Sequence, residues 1–75
     1  MNKLSLSPEM TFFIFLLQQY AAHRHTTADQ VLHDMDEKGL TNFIYSMYDR
    51  YHTEAIENAF ADLDSLLATG KPQQP

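Results

Sequence analysis

The sequence has no cysteine and no tryptophan, only two glycines, and five basic residues in 75. Without cysteine there is neither a disulfide nor a thiolate metal site, a composition compatible with the reducing cytoplasm, which is the expected location. Ten acidic residues outweigh the five basic ones for a formal charge of −5, and Lys3, Arg24, Lys38, Arg50 and Lys71 are scattered. A phosphate backbone or an anionic membrane demands clustered Lys/Arg, so neither is an expected partner. The longest apolar run, Phe12 to Leu17, is six residues, whereas about 20 are needed to cross a bilayer. That run is also short for a signal peptide, and no small-residue cleavage site follows it. Nothing matches a Ser-His-Asp set, a phosphate loop or a dinucleotide fingerprint. The chain is therefore read as no enzyme, with no catalytic residue, cofactor or small-molecule substrate.

What is present is helical periodicity. Ser7-Pro8-Glu9 is a helix start: a hydroxyl for the free N–H groups, a proline preorganised at the first position, an acid at the positive end of the dipole. From Pro8 to about Ala22, Phe13, Leu16, Leu17 and Tyr20 share a face, Phe12 and Ile14 flank it, and Phe15 points nearly opposite. A helix apolar over most of its circumference is buried over most of it, which makes this one the central element. His23-Arg24-His25 reads as a connection. Thr26 with Asp29, or Thr27 with Gln30, has capping-box spacing. Ala28, Val31, Leu32 and Met35 then form the narrow stripe of an amphipathic surface helix. Gly39 ends it, with Leu40 placed to reach back to Met35 in a Schellman closure.

Leu40, Phe43, Ile44, Met47, Tyr48 and Tyr51 form the cleanest stripe, with Thr41 or Asn42 as its cap. Ile56, Ala59, Phe60, Leu63, Leu66 and Leu67 form another, which stops at Thr69-Gly70 with Pro72 behind it. These two stripes are either one bent rod or two helices. Both reach one small core more easily if the chain turns near His52, where Thr53 is the candidate cap. No segment alternates with period two. The expected fold is all-α, a compact bundle of three to four short helices: residues 1–7 a flexible lead-in, 8–69 one helical domain, 70–75 a disordered tail.

A chain this short hides only about 60% of the surface its unfolded form exposes. Phe15, Tyr45 and part of Phe12 or Ile14 lie off the stripes that one core would use. Burial against a protein partner or a second copy would stabilise them, and ordinary exposed aromatics are the simpler alternative. His52-Thr53 beside Tyr48 and Tyr51 reads either as a small polar-aromatic recognition patch or as capping. His23 with His25, and His33 with Asp29 or Glu37, have partial metal-ligand spacing, but no HExxH motif supports them and no metal site is assigned. Asp34, Asp36, Glu37, Asp62 and Asp64 read as solvated helix faces, Asp62 alternatively as facing a basic partner.

Taken in order, Phe12, Phe15 and Tyr20-Ala21, then Gly39-Leu40, Phe43-Ile44 and Tyr48, then His52-Thr53, then Asp62-Leu63-Asp64 and Leu67 resemble one small bacterial family. It is the domain-of-unknown-function group numbered three-seven-nine-one. The resemblance runs from about Phe12 to Leu67. It departs where members often carry Gln-Gly, here Glu54-Ala55, and where acids are common, here Gln18 and Gln19. It implies a small helical protein without assigned catalytic residues, often encoded beside ADP-ribosyltransferase-like toxins, hence a partner or antitoxin role. The expected function is a protein–protein interaction module of a toxin–antitoxin-like pair. The alternatives are a structural homodimer and, behind it, a DNA-binding regulator. Phe15, Tyr45, Tyr48 and His52 are the candidate partner contacts.

Overall fold

The computed structural model describes residues 6–72. Among them there are five helices and no strand: α1 (Pro8–His23), α2 (Ala28–Glu37), α3 (Thr41–Ser46), α4 (Tyr48–Tyr51) and α5 (Ile56–Thr69). The fold is all-α. Residues 1–5 of the expected lead-in and 73–75 of the expected tail lie outside the described residues. Of the tail's described part, Lys71 is bonded into the end of α5, its N–H donating to the Thr69 hydroxyl and its carbonyl accepting from Ser65 at 2.7 Å.

Local chemistry sets the helix ends. The Ser7 hydroxyl accepts from the Met10 N–H at 3.1 Å and Pro8 opens α1. At α2 it is Thr27, of the two threonines offered by the spacing, that accepts from the Gln30 N–H. Such caps are worth about 1 kcal/mol each. Helix α2 closes in the expected Schellman motif: Gly39 has φ 69°, Leu40 N–H donates to Met35 C=O and Gly39 N–H to Asp36 C=O. The His23-Arg24-His25 connection is the same motif without glycine. His25 sits at φ 60°, Thr26 N–H donates to Ala21 C=O at 2.9 Å and His25 N–H to Ala22 C=O at 3.2 Å.

The expected stripe from Leu40 to Tyr51 is not one helix. At Met47 (φ −85°, ψ 13°) the chain tightens, and Met47 N–H donates to Ile44 C=O, three residues back. The Ser46 hydroxyl meanwhile donates to Phe43 C=O at 2.6 Å. A serine that bonds its own preceding turn competes with the helical ladder there, and the tight turn re-aims the chain into α4. Ile44 stays in the core while Phe43, expected inside, is 40% exposed. Neither Thr41 nor Asn42 caps α3: its N-cap is Leu40, without a side-chain bond, and the Thr41 hydroxyl donates to Asp36 instead.

Helix α1 packs against α2, α3 and α4, and α4 packs against α5. The core joins Leu16 and Tyr20 of α1, Val31 and Met35 of α2, Ile44 of α3, Tyr51 of α4, and Ala59, Leu63 and Leu66 of α5. Each fully buried aliphatic side chain here contributes about 1.5–3 kcal/mol. Asp62 also lies in this interior, 1% exposed, which overturns its reading as a solvated or partner-facing acid. Its position explains why: Ala59, Asp62, Leu63 and Leu66 follow i, i+3, i+4, i+7, so the carboxylate occupies a slot on the core face of α5.

Candidate interaction surface

The first turns of α1 and the two ends of α4, at Tyr48 and at its C-cap His52, meet in an open groove lined by Leu6, Pro8, Thr11, Phe12, Phe15, Tyr48 and His52. Phe12 is the pivot, edge-on to Tyr48 (ring centroids 5.8 Å, 72°) and to His52 (6.3 Å, 69°) and 6.3 Å from Phe15. The imidazole of His52 lies flat on the Tyr48 ring at 4.0 Å and 3°. Such ring pairs add roughly 0.5–1.5 kcal/mol beyond area burial, so the wall is preformed. His52 Nδ1 is in contact with the Tyr48 carbonyl. A carbonyl only accepts, so Nδ1 is the donor in this contact. Among the described residues that line the groove, none is Asp, Glu, Lys or Arg.

Three of the four expected contact residues, Phe15, Tyr48 and His52, therefore share one surface. The fourth, Tyr45, does not join them: it lines no part of the groove and packs edge-on against Phe13 at 5.6 Å. Phe15 is 46% exposed and Leu6, on the segment read only as lead-in, 55%. Thr53 does not cap α5. Its hydroxyl donates backwards to the carbonyls of Asp49 and Arg50, closing α4, while the N-cap of α5 is Ala55, which makes no side-chain bond.

Two phenol–carboxylate bonds tie α5 to α4 and to α1. Tyr51 donates to Asp62 at 3.0 Å, and the Arg50 guanidinium stands 3.5 Å from the same carboxylate. Tyr20 donates to Asp64 at 2.6 Å, beside Arg24 at 2.9 Å. Burial, and then the adjacent carboxylate, pushes both phenols well above the ordinary tyrosine range, so both remain protonated donors. Sequence reasoning missed these partnerships. The available signal was an acid at a core position of the α5 stripe, where burial requires a partner.

The remaining histidines are engaged in other ways. His23 stacks on Phe60 at 4.7 Å, and His33 Nε2 is 3.3 Å from the Glu37 carboxylate. Among the described residues no group of three or more His, Cys, Asp or Glu side chains is placed to hold a metal ion. No helix there is long and apolar enough to cross a membrane.

Compared with known proteins, residues 11–69 match the family model described as "Protein of unknown function (DUF3791)". No curated protein and no solved structure matches the chain.

Proposed function

Because the chain belongs to the DUF3791 family of proteins of unknown function, we propose that it works by contact alone, as a non-catalytic helical module that docks a protein partner. The observation that supports this is the aromatic groove, in which Phe12 of α1 is already edge-on to Tyr48 of α4, and His52 stacked on Tyr48, before any partner arrives. Preorganised aromatic anchors beside a polar tip are the side chains that dominate protein interfaces. Phe15, Tyr48 and His52 are the contacts we assign, with Phe12 and Leu6 added; Tyr45 supports Phe13 and is left out.

The partner proposed is a toxin-like protein of the ADP-ribosyltransferase type, encoded beside this chain in a bacterium, with the chain as its cytoplasmic antitoxin. An acidic binder with aromatic anchors suits a basic nucleotide-binding cleft, because opposite charge speeds encounter and the rings hold the complex. Coexpression of the tagged chain with the adjacent gene product tests this. The complex is retained by the native chain and lost with Phe15→Asp or Tyr48→Ala at unchanged helicity. Failure to form it at micromolar concentration with both proteins folded overturns the proposal.

A further inference from the structure

Helix α1 carries two stripes. One faces the core; the other, Thr11, Ile14, Phe15, Gln18, Gln19 and Ala22, follows i, i+3, i+4, i+7, i+8, i+11 and is exposed throughout. That spacing is the seam by which one helix packs along another. Between Met10 and Ala22 the helix has no charged residue at all. By contrast α2 exposes Asp29, Asp36 and Glu37 and α5 exposes Glu57, while on α4 Asp49 stands beside an exposed Arg50.

For a chain of net charge −5, this restricts what can lie on the seam. Two copies repel one another through most faces and approach without like-charge cost only through a neutral one. A two-fold contact also requires the same patch on both sides to fit itself. The seam does so with the helices antiparallel. Centred between Leu16 and Leu17, the pairing sets Thr11 against Ala22, Ile14 against Gln19 and Phe15 against Gln18 of the other copy. Bulk then meets the flexible Gln stems and small meets small, whereas a parallel pairing stacks Phe15 on itself and leaves Ala22 facing Ala22 across a gap. The antiparallel setting also opposes the two helix dipoles.

Resting on the reading of Phe15, where this seam meets the groove, as a protein-docking contact, we propose that a second copy of the chain occupies the seam in the free protein, α1 antiparallel to α1, and that a heterologous partner reaching Phe15 displaces that copy. Sedimentation over a concentration series then shows twice the 8.7 kDa chain mass, and Phe15→Asp returns it to one chain mass with helicity intact and the dissociation constant raised at least tenfold. The absence of native cysteine permits a register test. The Thr11→Cys and Ala22→Cys variants cross-link with each other when mixed, and neither cross-links with itself, because like positions lie roughly 16 Å apart along the axis at 1.5 Å per residue. A monomer at every concentration, a dimer indifferent to Phe15→Asp, or like-with-like cross-linking overturns the second copy. If the adjacent gene product still binds the monomer through Phe15, the docking reading survives that failure; if it does not, both fall.

Discussion

Replacing Tyr51 by phenylalanine removes one hydroxyl from the interior and leaves the ring's packing in place. Tyr51 is 2% exposed and its phenol bonds a carboxylate that is 1% exposed, at 3.0 Å. A hydrogen bond to a charged group is worth about 1.5–3 kcal/mol, and Arg50 at 3.5 Å continues to compensate Asp62, which places the loss near about 2 kcal/mol. In a domain of this size each kcal/mol moves the midpoint by about 4–8 °C, so the Tm of Tyr51→Phe falls by roughly 8–16 °C. Thermal unfolding followed by far-UV circular dichroism measures it. A double-mutant cycle with Asp62→Asn then isolates the pair, with a coupling energy above about 1 kcal/mol expected. A midpoint within about 2 °C of the native chain, or a coupling near zero, means that the carboxylate is held by its other neighbours and that the brace between α4 and α5 has been misread.

Alkali supplies a second test. The unfolded chain ionises its tyrosines near pH 10, where the folded chain still holds the Tyr20 and Tyr51 protons, so the stability present below about pH 10 declines as the pH rises beyond it. Tyr20→Phe removes one of these groups and makes the fall of Tm above about pH 10 shallower; an unchanged slope contradicts the assignment. At the two Schellman closures opposite substitutions have opposite signs. His25→Gly relieves a left-handed non-glycine residue and raises stability by about 0.5–1 kcal/mol, while Gly39→Ala creates one and lowers it by about 1 kcal/mol. Urea unfolding reads both.

Four helix ends were legible because their chemistry is local, whereas the expected caps at Thr41 or Asn42 and at Thr53 are not used. Ser7, Thr27, Gly39 and Gly70 act within four residues of themselves, and the structure uses each at the expected end. The core faces of α1 and α2 were legible for a similar reason, since a stripe needs only one apolar neighbour to be buried. The break at Met47 was not. Leu40 to Tyr51 keeps a regular stripe with no Gly or Pro, and the interruption comes from the Ser46 hydroxyl on Phe43 C=O, a bond that spacing alone does not reveal. Asp62 was misread because an acid was assigned to water by type, although its register put it among Ala59, Leu63 and Leu66. For the surface, exposure of Phe15 followed from its angle on α1. Its meeting with Tyr48 and His52 depends on how α4 swings after Met47, and Tyr45, singled out because it lies off the stripe, packs on Phe13 away from that groove.

Tyr51–Asp62 and Tyr20–Asp64 bind α5 from two directions, one to α4 and the other to α1, through acids two residues apart. Aliphatic contacts are tolerant: a cylinder of Leu and Ala rolls or slides by a fraction of a turn with little loss. Directional bonds to two separate neighbours do not permit this, since any rotation that preserves one breaks the other. The pair therefore indexes the azimuth of the last helix, as two dowels fix a plate that one would let swivel. With both phenols removed, the expected result is a chain that keeps its helicity while its side-chain resonances broaden, a scaffold still coiled but no longer keyed.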